Sequence, residues 1–258
     1  MSQLIQSNAV DSQIDNYLKI GFEKVEGWCS SSIPPLTKTI SDYQAQNAIE
    51  GGVLEIGVHH GKFFIVLHNL TNTTLEPSVA IDVFDEQALN IDYSGKGNRA
   101  IFERNVAEYA SNPQSIHCIS RDSTELSAAD VVKIESEYGK FRIISIDGGH
   151  TAEHTINDFN IASNLICNGG VVILDDYYNQ DWPGVHEGVA YLFLHNRPKL
   201  VPFLVAPNKL FFTTISYRKK MFDLITNFIK NRATRLEKGR LKIVKMYGYD
   251  VISYKPFQ

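Results

Sequence analysis

Cysteine is scarce. Three residues in 258, Cys29, Cys118 and Cys167, give neither a disulfide framework nor a zinc-ligand spacing, and such usage fits a reducing cytoplasm. No stretch approaches the roughly 18 uninterrupted apolar residues of a membrane-spanning helix. Residues 1–18 hold neither a basic leader nor an apolar run, so no secretory signal is expected. Positive charge is in slight deficit, 25 Lys and Arg against 29 Asp and Glu, which removes any whole-chain signature of nucleic-acid binding. There is also no internal repeat and no dinucleotide-type G-x-G-x-x-G. The remaining composition, 43% hydrophobic and 21% charged, is that of a globular chain long enough to bury a sizeable core.

Short β-branched apolar runs alternate with helix-length segments. Val53 to Gly57, Val79 to Phe84, Ser115 to Ile119, Phe141 to Asp147 and Gly170 to Asp176 read as five strands, continuous rather than alternating in hydrophobicity and therefore covered on both faces. Between the last two, Thr151 to Ile166 places Ile156, Phe159, Ala162 and Leu165 on one helical face. Pro183 opens a further helix to about Asn196. Val201 to Ala206 and Lys209 to Tyr217 are then separated by only Pro207 and Asn208, too short a gap for a parallel crossover, so they must pair antiparallel. The expected fold is α/β: a Rossmann-like, doubly wound, seven-stranded sheet, mostly parallel with an antiparallel strand 7. Residues 49–217 form this unit, 1–48 an N-terminal helical lid, and 218–258 a basic helix followed by an extended segment.

Ligands of open α/β sheets bind outside the carboxyl ends of the strands. After strand 1, Glu55-Ile56-Gly57-Val58-His59-His60-Gly61 offers two glycines that permit a tight turn and close approach to backbone N–H groups, or simply a strand-to-helix turn. Asp82 ends strand 2 where a carboxylate can accept both hydroxyls of a ribose. Asp122 and Ser123 follow strand 3, placed for an adenine amino group or for a helix cap. Strands 4 and 5 end at Asp147 and at Asp175-Asp176. Three converging carboxylates repel unless a cation or protons neutralise them, and oxygen ligation suits magnesium or another hard divalent ion. His150, three residues beyond Asp147, is the best-placed proton acceptor, with His59, His60, His154 and His186 as competitors.

Together, Glu55-x-Gly57-x-x-x-Gly61, Asp82, Ile146-Asp147-Gly148-x-His150 and Gly169-Gly170 through Asp175-Asp176-Tyr177, followed by Trp182-Pro183-Gly184, resemble the class I methyltransferases that use S-adenosylmethionine. The likeness is to metal-dependent sugar O-methyltransferases of the macrocin and mycinamicin type and covers about residues 51–217. It implies that Glu55, Gly57 and Gly61 line the methionine part of the cofactor, Asp82 its ribose, and Asp122 with Ser123 its adenine. It also implies that Asp147, Asp175 and Asp176 hold Mg2+ or Mn2+, and that His150 removes the proton of a saccharide or glycosylated small-molecule acceptor. Several such enzymes carry a second acid where this chain has Gly149. Rival readings are a catechol-like acceptor, an NAD-dependent oxidoreductase, disfavoured by the missing third glycine, and a non-catalytic nucleoside-binding module.

Charge is unevenly spread. Arg218 to Lys245 carries ten Lys or Arg against Asp223 and Glu237, a net of +8. A solvated helix face accounts for this; the sharper reading is that Lys230, Arg232, Arg235, Lys238, Arg240 and Lys242 attract a phosphate-bearing acceptor or an anionic membrane surface. A homo-oligomer remains compatible with the sequence.

Overall fold

The computed structural model describes residues 13–91, 93–196, 198–231 and 240–256. Its centre is a parallel sheet of β1 (Gly52–Ile56), β2 (Ser78–Asp82), β3 (Ile116–Ser120), β4 (Phe141–Ile146) and β5 (Ile166–Leu174). Successive residues of these runs enter opposite cores. In β5, Val171 and Ile173 join one apolar cluster while Val172 and Leu174 join the other, which is why the runs are continuously apolar.

Helices α1 (Ile33–Gln46), α2 (Lys62–Asn69), α3 (Arg99–Tyr109) and α7 (Arg218–Lys230) feed the first cluster; α4 (Ala128–Tyr138), α5 (Ala152–Leu165) and α6 (Pro183–His195) feed the second. Local chemistry sets their ends. The Thr151 hydroxyl accepts the His154 N–H to start α5, Ser127 and Asp130 form a capping box on α4, and Pro183 occupies the first turn of α6.

β6 (Leu200–Ala206) and β7 (Lys209–Thr214) form the expected antiparallel pair, and β7 runs antiparallel to β5. The strand count differs from seven. Among the described residues nine strands follow the order β3-β2-β1-β4-β5-β7-β6-β9-β8, because the C-terminal extended segment is a hairpin of β8 (Arg240–Met246) and β9 (Tyr249–Lys255), with β9 parallel to β6. Its two-residue turn places Tyr247 at φ 49° and Gly248 at φ 85°, both left-handed as a type I′ turn requires.

The N-terminal segment also departs from a simple lid. Ile33, Leu36 and Ile40 of α1 are fully buried, and the Gln44 side-chain amide donates to the carbonyls of Arg142 and Gly169 at 2.8 and 3.2 Å. α1 is therefore a core helix, and residues from 1–48, 49–217 and 218–258 share one apolar cluster. In the basic stretch, Arg232, Arg235 and Lys238 lie outside the described residues. Lys230 ends α7, while Arg240 and Lys242 sit on β8, with four strands between it and β4.

Candidate functional site

The chain winds outward from β1 to β2 in one direction and to β4 in the other, so the loops after β1 and β4 part and leave a crevice at the carboxyl edge. A cavity of about 510 Å³ opens there. Its wall brings together Gly57, Asp82, Asp122, Ser123, Asp147, His150, Asp175 and Asp176. Glu55 and Gly61 are not on it. Glu55 is 2% exposed within β1, behind the wall, where burial and then the Asp147 charge push its carboxyl up to about 8. Gly61 begins α2 at φ 90°, against the Phe102 ring.

Gly57 is required by a close backbone approach. Its φ is 79°, and a Cβ there would lie 1.9 Å from the Asp147 carbonyl oxygen, so only glycine lets the ends of β1 and β4 meet. Asp82 ties the next loop down. One carboxylate oxygen accepts the N–H groups of Val58 and His59 at 2.7 and 2.9 Å, and the other that of Phe84 at 2.6 Å. Burial raises its pKa against these three bonds. Asp122 likewise caps a short turn, accepting the N–H and hydroxyl of Thr124 at 2.8 and 2.7 Å.

The acidic edge is organised around Asp176. This residue sits at φ 58°, costly for a non-glycine residue, and accepts side-chain amides from Asn179 and Asn208. His150 Nε2 lies 3.0 Å from its other oxygen and 3.9 Å from Asp147 Oδ1. Burial raises the Asp176 pKa, but His150, Asn179 and Asn208 more than offset it and hold the carboxyl below its usual range. The imidazole is stacked on Trp182 with ring centroids 4.5 Å apart, and its Nδ1 is 3.3 Å from Ser94 Oγ. Asp175 differs from its neighbour: one oxygen is ion-paired to Lys209 and the other accepts the Asp176 N–H at 2.8 Å. Burial lifts its carboxyl above the ordinary range, against the pull of Lys209. Asp147, His150 and Asp176 each put one ligand atom within 4.8 Å of the others. At Gly149, a Cβ would meet the His154 ring at 2.7 Å, so a larger side chain does not fit there without displacing His154.

Lys209, Asn208 and Asn179 were not singled out by sequence reasoning. The available signal was a lone lysine opening an apolar strand, immediately after the residue that forms the β6–β7 turn. The ammonium is 2% exposed and lies 4.9 Å from the Phe63 ring centroid. Burial opposes its charge, whereas Asp175 and Asp147 keep it protonated.

Residues 54–177 match a family described as a methyltransferase domain. An uncharacterised protein of Acanthamoeba polyphaga mimivirus is 26% identical over 152 residues, 49% of this chain and 66% of that protein, so the chain spans just under two thirds of the relative. Among solved structures, the O-methyltransferase NovP superposes with a TM-score of 0.59 at 13% identity, over 83% of this chain and 99% of that one. CalS11, a TDP-rhamnose 3'-O-methyltransferase of calicheamicin biosynthesis, gives 0.50 at 14% identity, over 82% and 94%. MycE of the mycinamycin pathway, in complex with Mg and SAH, gives 0.51 at 18% identity over 80% of this chain and 54% of its own longer one. At such identities these likenesses concern the fold. The family match, however, runs from β1 through the acid pair after β5, the same strands that build the cavity, so residues 54–177 are similar to a methyltransferase domain.

Proposed function

We propose that this domain transfers the methyl group of S-adenosylmethionine to a hydroxyl of a saccharide or glycosylated small molecule, with a divalent ion at the acidic edge. The observation that carries the reading is the convergence of Asp147, His150 and Asp176 beside the β1/β4 crevice. Two carboxylates fit a hard divalent cation, and Asp147 and Asp176 would hold it, with the Lys209-paired Asp175 behind them. Such an ion, when bound, neutralises the acids and lowers the pKa of a hydroxyl presented to it.

The chain's own groups supply the rest. Asp176 orients the His150 imidazole from one side and Trp182 fixes its plane, so the ring is placed to accept the acceptor's proton. Gly57, Asp82, Asp122 and Ser123 line the cofactor end of the cavity, while Glu55 and Gly61 support it from behind. Asp82 acts chiefly through the loop it braces, leaving little of its carboxylate for both ribose hydroxyls.

The test is label transfer from methyl-labelled S-adenosylmethionine to a panel of glycosides and nucleotide sugars, with catechols alongside, before and after chelation. Transfer to a sugar hydroxyl that stops in EDTA and returns with Mg2+ or Mn2+, while cofactor binding persists, is the expected result. Full transfer after exhaustive chelation overturns the metal role, and transfer to catechols alone overturns the acceptor class.

A further inference from the structure

A second group of ligating side chains lies at the loop between β1 and α2, where His59 lines the cavity. We propose that Glu26, His59 and His60 form a binding site for a borderline transition ion such as Zn2+, separate from the acidic edge and serving to clasp the segments around the cavity mouth. Each of the three offers a ligand atom within 4.8 Å of the others. A carboxylate with two imidazoles is a donor set chosen by zinc and its first-row neighbours rather than by magnesium.

The hydrogen-bond pattern fixes which atoms are available. His60 is 4% exposed, and its Nε2 lies 3.1 Å from the Lys96 carbonyl oxygen. A carbonyl only accepts, so Nε2 carries the proton and Nδ1 of the neutral ring presents a lone pair. That lone pair is 3.3 Å from Glu26 Oε2 without the alignment of a hydrogen bond. A buried lone pair facing a carboxylate calls for a cation between them. The Nδ1 of His59 is also buried without a hydrogen-bond partner, and the two rings are stacked with centroids 3.8 Å apart. Drawing both Nδ1 atoms to about 2.1 Å from one ion requires the rings to turn out of this stack. His59 is held at φ 48°, a strained conformation of the kind that persists where surrounding structure imposes it. Glu26 is largely exposed, which gives an ion a path from solvent.

Three segments meet at this point. Glu26 comes from the N-terminal segment whose Trp28 lies 5.4 Å from the His59 ring, the histidines from the cofactor loop, and Lys96 from the loop whose Gly95 packs on His59. Trp28, His59 and Gly95 all line the cavity. An ion here would hold both flanking segments against the cofactor loop, independently of what the acidic edge binds.

Calorimetric titration of the full chain with Zn2+, in an Asp147→Asn/Asp176→Asn background that removes the other cluster, should show one equivalent bound with a Kd of about 1 μM or tighter. Glu26→Gln, a change at an exposed side chain, and His59→Asn should each weaken this by about tenfold or more. Cu2+ bound in place of Zn2+ should couple to two imidazole nitrogens by electron paramagnetic resonance. Binding no tighter than about 100 μM, equal affinity in the Glu26→Gln and His59→Asn variants, or coupling to one nitrogen overturns the site; the first outcome would leave only an ion pair between Glu26 and a protonated His60.

Discussion

At the scale of single residues, His150 is the group on which the proposed chemistry turns. Its replacement by Ala should lower turnover by about 100-fold or more while leaving S-adenosylmethionine affinity unchanged, as loss of a general base does. A fall of less than tenfold with an unaltered pH profile would make it an acceptor contact. The strand-end acids and this histidine were legible because an apolar run that stops at an acid marks the carboxyl edge without any tertiary knowledge. Lys209 was not, since its partner Asp175 lies 34 positions earlier and only the antiparallel β5–β7 pairing brings them together. Asp82 and Asp122 were ambiguous for another reason: short acids bond nearby backbone as readily as ligands, and the sequence pattern is the same for both.

A second residue-scale prediction concerns His68. It is fully buried, with Nδ1 2.9 Å from Ser78 Oγ and Nε2 3.4 Å from the Asn112 N–H, and burial depresses its pKa to about 4. The unfolded chain binds a proton below about 6.5 that the folded chain refuses. Stability is therefore lost as pH falls from about 6.5 towards 4, by about 3 kcal/mol in all. Urea unfolding of wild type and His68→Gln at a series of pH values isolates this term from the oppositely shifted acids Glu55 and Asp158. The stability difference between the two proteins should move against wild type by that amount across the window. A constant difference would show that the folded protein protonates His68 as readily as the unfolded chain.

Elements were read correctly where hydrophobic period and caps agree, as in α5, expected at Thr151 to Ile166 and found at Ala152–Leu165. The spacing in α1 shows an apolar face but not what that face meets. Its anchor is Arg142, whose guanidinium bonds Glu76 at 2.8 Å, Ser41 at 2.9 Å, Gln44 at 3.0 Å and the Leu70 carbonyl at 2.8 Å. These partners come from α1 and from the connection between α2 and β2, both far from Arg142 in sequence, and the arginine is 3% exposed. Arg142→Ala should cost about 3–5 kcal/mol, because it strands the partly buried carboxylate and the buried carbonyls that the guanidinium satisfied. Equilibrium urea unfolding measures this. A loss below about 1 kcal/mol would mean that water replaces the arginine and that α1 is held by its apolar face and the Gln44 hydrogen bonds.

At the scale of the whole molecule, the C-terminal hairpin extends the sheet and closes its core. The sequence hid it because the turn is Tyr247-Gly248 rather than the Asn-Gly or Asp-Gly that usually marks such a hairpin. Met246, Val251, Ile252 and Tyr254 are each at most 8% exposed and enter both apolar clusters. At about 1.5–3 kcal/mol for each large buried side chain, their removal approaches the whole stability of an ordinary domain. It would also uncover the edge of β6, where Leu204 and Val205 pair with β9, and an open edge invites pairing between copies. A chain ending at Asn231 should therefore unfold at a markedly lower temperature and self-associate on size-exclusion chromatography. Gly248→Ala provides the milder control: at φ 85° a Cβ would meet nothing within 4 Å, so only backbone strain of about 1–2 kcal/mol is added. A truncated chain that stayed monomeric and melted with wild type would leave the hairpin as an ornament on a seven-stranded core, and the added strands would carry none of the stability argued for them.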